Sequence, residues 1–347
     1  MIKENLFGKT LSELQEVVIK IGLQKFVAKQ LTDWMYKKRI RSFEEMHNLS
    51  KQTREKLAES YDISYTTSTS VQESVDGTKK YLFPVKPHQF IETAYIPEGD
   101  RATLCVSSQV GCKMGCLFCM TGKQGFQGDL SSGEILNQIF NIPEFEKLTN
   151  VVYMGMGEPF DNLDEVLKSI EILTSDYGLG WSPKRITVST IGIIPAMKRF
   201  LNQSKANLAI SLHNPFEDER KKLMPIESVY HLTKLLDEIR SFEFSGQRRI
   251  SFEYIMFKGE NDQQRHINEL ARILNGIKCR INLIRFHPIP NVPLESSSNE
   301  TISRFQVGLK RKGIITTIRA SRGEDIFAAC GLLSTKELVK RQKNEDY

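Results

Sequence analysis

Thr103-Leu-Cys-Val-Ser-Ser-Gln-Val-Gly-Cys112-Lys-Met-Gly-Cys116-Leu-Phe-Cys119 places three thiols at C-x3-C-x2-C spacing directly after a β-like stretch, Ala102–Ser108. Three thiolates on one short loop can hold three irons of a [4Fe-4S] cluster. Such clusters usually have four Cys ligands, so one iron stays open to a ligand from outside. Structural zinc asks for four Cys or His ligands with a second close pair, yet the next thiol is Cys279 and no histidine lies near the loop. A disulfide inside so tight a loop would be strained. No secretory signal is present, so a reducing, cytoplasmic compartment is expected, where grouped cysteines read as metal-binding or catalytic. An iron–sulfur cluster on Cys112, Cys116 and Cys119 is the reading that follows.

Outward from this loop, β-like runs alternate with helical patterns from about Ala102 onward, the mark of repeated βα units around a parallel sheet. The expected strands are Thr103–Ser107, Asn150–Met154, Arg185–Ser189, Leu208–Leu212, Ile250–Met256, Arg280–Phe286 and Ile314–Ile318. Helical stretches such as Leu163–Leu173, His266–Leu274 and Thr301–Lys312 lie between them. About six such units predict an α/β fold, a partial (β/α)6 barrel, with ligands at the carboxyl ends of the strands. The polar motifs fall there: the Cys loop, Gly155-Met-Gly-Glu-Pro159, Ser189-Thr-Ile-Gly192 and Ser211-Leu-His213.

Before the core, apolar positions at three- and four-residue intervals in Leu11–Lys20 and Phe26–Tyr36 predict a small helical N-terminal domain over 1–65. Its basic run, Lys37-Lys-Arg-Ile-Arg41 beside Trp34 and Tyr36, is a candidate phosphate contact or a solvated helix end. Alternating stretches around Asp76-Gly77 predict a β-hairpin linker over 66–97, ahead of a βα core over 98–324 and a C-terminal segment over 325–347. The tail after Gly331, polar toward Arg341–Tyr347, is expected to fray. A net charge of +6 suits a polyanionic partner without requiring one. No apolar run reaches the roughly 18 residues that span a bilayer, so no membrane is expected.

These residues together resemble the radical S-adenosylmethionine (SAM) superfamily and, within it, the RlmN-type adenine C2-methyltransferases acting on 23S rRNA and tRNA. The resemblance runs through Glu92 in Ile91-Glu-Thr-Ala-Tyr-Ile-Pro97, Cys105, the Cys loop, Gly155–Pro159, Ser211–His213, Asn282-Leu-Ile284 and Arg322-Gly-Glu-Asp-Ile-Phe-Ala-Ala-Cys-Gly331. It implies that Cys112, Cys116 and Cys119 ligate the cluster, whose open iron takes SAM. Gly157 and Glu158 would hold the SAM amino group, and Ser189, Ser211, Leu212, His213 and His287 the remainder. Cys330 matches the residue first methylated on sulfur by one SAM, and Cys105 the partner that later resolves the covalent intermediate, leaving a transient Cys105–Cys330 disulfide. Without the resemblance both would read as buried small hydrophobes, and Cys279 stays structural.

Adenine C2 is electron-poor and cannot displace the methyl of SAM in a polar step, which is why such an enzyme uses a radical. The resemblance implies hydrogen abstraction from the methyl on Cys330, addition of the methylene radical to C2, and release by Cys105. Glu92 would exchange a proton with the base. The expected partners are 23S rRNA, tRNA and an electron donor such as flavodoxin or ferredoxin, the RNA contacts falling to the N-terminal helices and basic rim of a monomer. The chain departs from the pattern at His287, where many relatives carry Asn. It also departs at Ser189-Thr-Ile-Gly-Ile-Ile-Pro195, which resembles sister enzymes that methylate C8 of the same rRNA adenine. The alternatives are therefore C8 methylation and a non-catalytic Fe-S RNA-binding module.

Overall fold

The computed structural model describes residues 3–242, 244 and 250–335. Its centre is a ten-stranded sheet whose strands lie side by side in sequence order. They are β1 (Ser70–Glu73), β2 (Lys79–Lys86), β3 (Gln89–Glu98), β4 (Arg101–Val106), β5 (Asn150–Tyr153), β6 (Ile186–Thr190), β7 (Asn207–Ser211), β8 (Ile250–Met256), β9 (Cys279–Arg285) and β10 (Ile315–Ile318). From β4 to β10 every neighbouring pair is parallel, the arrangement the alternating pattern predicts. The expected hairpin linker is part of this sheet: β1, β2 and β3 pair antiparallel and β3 pairs antiparallel with β4. Gly77 turns β1 into β2 at a φ of 81°, a left-handed conformation that glycine adopts without steric cost.

Strands covered on both faces read as continuous apolar runs, and β8, Ile-Ser-Phe-Glu-Tyr-Ile-Met, is buried along nearly its whole length. The edge strand β10 instead leaves Ile315 and Ile318 exposed. The crossover helices are amphipathic; Val166, Ile170 and Leu173 line the buried stripe of the helix Leu163–Thr174.

Helices Leu11–Lys20, Val27–Thr32 and Lys51–Ser60 form the N-terminal unit. Thr10 and Glu13 cap the first reciprocally, satisfying amide groups that a helix start leaves unpaired. The unit docks on the helix Ser132–Phe140 so closely that a Cβ on Gly8 would lie 2.2 Å from the amide nitrogen of Gly133. The Tyr36 hydroxyl donates to Lys9 O and accepts from Gly8 N, while Phe7 packs on Tyr36, Tyr65 and Phe140. Part of the basic run serves this interface. Arg39 pairs with Glu146 at 2.6 Å and lies over the Phe145 ring, and Arg41 donates to Asn141.

The C-terminal stretch differs from expectation. Residues 332–335 are docked rather than frayed, with Leu332, Leu333 and Thr335 buried, because two leucines find apolar cover that polarity further along the tail obscures. The tail from residue 336 lies outside the described residues. No helix among the described residues is long and apolar enough to cross a membrane.

Candidate active site

The loop after β4 brings in the three cysteines. Gly111 lies against Gly125, where a Cβ would sit 1.7 Å from the carbonyl oxygen, so only glycine closes the loop. Phe118 anchors its far side, edge-on to His213 and against Phe257. All six cysteines are free thiols, Cys105 and Cys330 included. Cys112 and Cys119 each act electrostatically on Cys116, and Cys119 on Cys112, so the three thiols face one another as a donor set. Burial pushes the Cys112 thiol up to about 12 and Cys116 well above its ordinary value. Binding metal there means exchanging protons for iron. The guanidinium of Arg220 is fully buried, paired with Glu227, donating to Ile191, Leu212 and Ser211 carbonyls, and its charge favours the Cys116 thiolate.

Beside the loop, the turn after β5 carries Gly157 and Glu158. A Cβ on Gly157, at a φ of 99°, would meet the Gln109 side chain at 2.6 Å. The Glu158 carboxylate is buried and accepts from the Thr190 hydroxyl at 2.6 Å, the Ile191 amide at 3.0 Å and the Phe160 amide at 3.0 Å. Burial raises it to about 7 against those hydrogen bonds, so it lacks a cation. A ligand ammonium would supply that charge, and a carboxylate's four acceptor positions leave room for one. His213, at a φ of 54°, accepts from the Ile255 amide through Nδ1 at 3.0 Å, and burial lowers the ring to about 3. The imidazole is therefore neutral, with its proton on Nε2. Ser189 stands one residue before the end of β6, and Ser211 ends β7. Leu212 sits in the core with its amide and carbonyl already engaged, which leaves it a supporting place. His287 is half-buried, lowered by burial, and 3.7 Å from Glu324.

On the other side, Glu92 of β3 is buried, 2.9 Å from the Lys80 ammonium and 2.9 Å from the Ser334 amide. Burial raises its pKa while Lys80 and Ser334 pull it back. Residues 331–335 form a strap over this point. Met120 donates to Gly331 O, Thr121 to Leu333 O, Thr335 to Phe90 O, and Gln124 and Thr335 bond each other. Cys105 stands in register with Ala94 and Val152 and packs with Ala328. Cys330 opens to solvent even though protein crowds its thiol. Burial pushes Cys105 to about 12, with Cys330 near enough to add to the rise. Arg319 opposes the rise at both thiols and is itself held by Glu253 at 3.3 Å.

Comparison with known proteins follows the same division. Residues 4–63 match the family model for the ribosomal RNA large subunit methyltransferase N-terminal domain, and residues 106–271 match the radical SAM superfamily. A Phocaeicola vulgatus protein described as a probable dual-specificity RNA methyltransferase RlmN is 57% identical over 99% of this chain and 97% of its own. The Syntrophus aciditrophicus dual-specificity RNA methyltransferase RlmN is 42% identical over 98% of this chain and 99% of its own. The crystal structure of a radical SAM methyltransferase from Sphaerobacter thermophilus superposes with a TM-score of 0.88 at 38% identity, covering 95% of this chain and 99% of that one. The chain belongs to the RlmN family.

It is accordingly a radical SAM enzyme that methylates RNA and uses a [4Fe-4S] cluster with SAM. The donor set fits this RlmN assignment: three mutually interacting thiols on one loop, and a buried carboxylate short of a cation. Sequence reading singled out Glu92 and Glu158 but missed the groups that hold them. Lys80 and Thr190 lie on neighbouring strands, and Ser334 is 242 residues from Glu92. Arg220, Glu253 and Arg319 were missed as well. Of these only Glu253 gave a signal, a lone acid inside an apolar strand.

Proposed function

We propose that this enzyme methylates C2 of an adenine in 23S rRNA at the peptidyl-transferase centre and of the adenine 3′ of the anticodon in tRNA, through a methyl carried on Cys330. The observation that supports it most directly is the position of Cys330 along the chain: between Ala328, which packs with Cys105, and Gly331, whose carbonyl accepts from the Met120 amide next to Cys119 of the Cys loop. When bound, the cluster and SAM supply one-electron chemistry that removes hydrogen from a methyl group.

The residues of the chain perform the rest. The Cys330 thiolate takes a methyl from SAM by displacement, and its sulfur then links protein to base once the carbon has joined C2. Glu92 lies at the base side, where a carboxyl raised by burial can give or take a ring proton. After one electron has passed to the cluster or an external acceptor and the C2 proton to solvent, the Cys105 thiolate attacks Cys330 Sγ. A sulfur–sulfur bond forms, the sulfur–carbon bond breaks, and its electron pair goes to the carbon, which gains a proton. The resulting disulfide needs external reductant to reset. Cys105 attacks only as thiolate, and the Arg319 charge favours that form. A flavodoxin or ferredoxin as electron donor, a monomeric state and a cytoplasmic setting belong to the same proposal.

The test is nucleoside mass spectrometry on hypomodified rRNA and tRNA incubated anaerobically with reconstituted enzyme, SAM and reductant. 2-Methyladenosine is the expected product. 8-Methyladenosine would transfer the chain to the C8 chemistry suggested by Ser189–Pro195, and neither product from cluster-loaded protein would refute the reading.

A further inference from the structure

The loop that carries Cys330 holds an aromatic side chain that the reaction does not use. Phe327 is 66% exposed, although it stands three residues before the reacting thiol and its neighbours Ala328 and Ala329 are buried. Its φ is 53°, in the left-handed region, which is rare for a bulky residue and is held only where surrounding contacts fix it.

Those contacts are present. Asp325 accepts from the Ser74 hydroxyl at 2.5 Å and the Val75 amide at 3.2 Å, and Asp76 accepts from the Gly323 amide at 3.0 Å. Burial works to raise Asp76, yet hydrogen bonds from Thr78, Gly323 and Ser74 outweigh it and hold the carboxyl at about 2. Ala328 N donates to Gly323 O and Phe327 N to Glu324 O, closing the turn on itself. The hairpin between β1 and β2 thus clamps the loop and leaves the ring outside. On the same turn the half-buried Arg322 has a buried Nε with no hydrogen-bond partner among the described residues.

A rigidly presented aromatic ring and a guanidinium with an unpaired Nε–H are the two groups that a single-stranded nucleotide engages, the ring by stacking and the cation at phosphate. The substrate is RNA, and its target base must come to Cys330. We propose that Phe327 is a stacking platform for the nucleobase adjoining the target adenine, with Arg322 taking a phosphate of the same strand. The platform would hold the RNA splayed while the target base enters the site. Unstacking a base from its neighbour has a cost, and a replacement stacking partner at the vacated step offsets it.

The inference rests on RNA methylation and not on which carbon is methylated. The test uses a tRNA anticodon hairpin with 2-aminopurine beside the target adenosine, together with steady-state kinetics on the unlabelled hairpin. Wild type should quench the 2-aminopurine emission. Phe327→Leu keeps bulk but has no π face; it should lose most of the quenching and raise KM for RNA about 5- to 150-fold, with kcat changed far less. Phe327→Trp should keep KM near wild type and show its own emission quenched on RNA binding. Arg322→Gln should raise KM and flatten its dependence on salt. Iron content and melting temperature report whether each variant is folded. Unchanged quenching and KM in Phe327→Leu would overturn the platform, and so would a Phe327→Trp protein whose emission ignores RNA. Absence of methylated product from wild type would strike the methylation reading instead, since the two fluorescence measurements do not need turnover.

Discussion

The two buried carboxylates divide the site into unlike halves. Glu158 is held by neutral donors from the ends of adjoining strands, Thr190 and Ile191 of the β6 end and Phe160 of its own turn. Glu92 already has a cation in Lys80, and its other oxygen is taken by an amide of the strap. On the proposed reading, the Glu158 side is the SAM half, a cradle lacking one positive charge that the SAM ammonium would bring. The base half is charge-balanced without substrate, and one of its contacts sits on the strap, outside the sheet. Binding strength is expected from the first half and control of access from the second.

The largest effect should come from removing what both halves share. Cys330→Ala is expected to yield no methylated nucleoside by mass spectrometry while retaining iron and SAM binding; residual product would dissolve the division at its centre. Next, Glu92→Gln should slow single-turnover methylation about 10²- to 10⁴-fold, the usual worth of a positioned acid or base. Lys80→Met strands that carboxylate without its partner and should lower unfolding free energy in urea by about 3–5 kcal/mol. Adding Glu92→Gln to Lys80→Met should recover part of the loss, because the uncompensated charge is gone. If it recovers nothing, the ion pair is not what balances the base half.

Glu158→Gln should weaken SAM binding about 10- to 150-fold, the value of a hydrogen bond to a charged group. The sign of its pH dependence follows from the raised pKa. In protein without SAM this carboxyl is mostly protonated below about 7 and ionised above it. Its burial therefore makes the native state bind more protons than the unfolded one between the ordinary glutamate range and about 7, and stability falls as pH rises through that window. SAM reverses the trend by supplying a cation, so the rise in melting temperature on adding SAM should be larger at pH 8 than at pH 6. Glu158→Gln should flatten that difference, and an equal shift at both pH values in wild type would break the contrast. The smallest effect is reserved for the strap. Ser334→Pro deletes the amide donor to Glu92 and should lower KM for RNA by less than about tenfold. A rise in KM would mean that the strap builds the site instead of guarding it.

Much of the SAM half was legible from sequence because its parts are local. The Cys loop is contiguous, Gly157 and Glu158 follow directly on a strand, and seven parallel strands announced themselves as apolar runs between helical patterns. Cys279, read as structural, begins β9 at the end away from the site, with its thiol raised by burial to about 11. The base half was legible only through resemblance. Glu92 on an alternating strand looks like a surface residue until Lys80 and Ser334 are seen around it, and those contacts have no periodicity to betray them. The basic run at Lys37–Arg41, by sequence a candidate phosphate contact or a solvated helix end, has a further use that its charge did not announce: Arg39 and Arg41 fasten the N-terminal unit to the core through Glu146 and Asn141.

Sheet neighbours are also sequence neighbours, so a chain leaving the ribosome can add each strand to one already made. The C-terminal stretch is where this order breaks, the strap reaching back 242 residues to Glu92 and 211 to Gln124, and the Gly323–Asp325 turn reaching back to Ser74 and Asp76. Cys330, the proposed methyl carrier, therefore emerges after the Cys loop and after every strand of the sheet. Cofactor loading can precede closure, and a prematurely terminated chain would carry the radical-forming half with no thiol in place to receive a methyl.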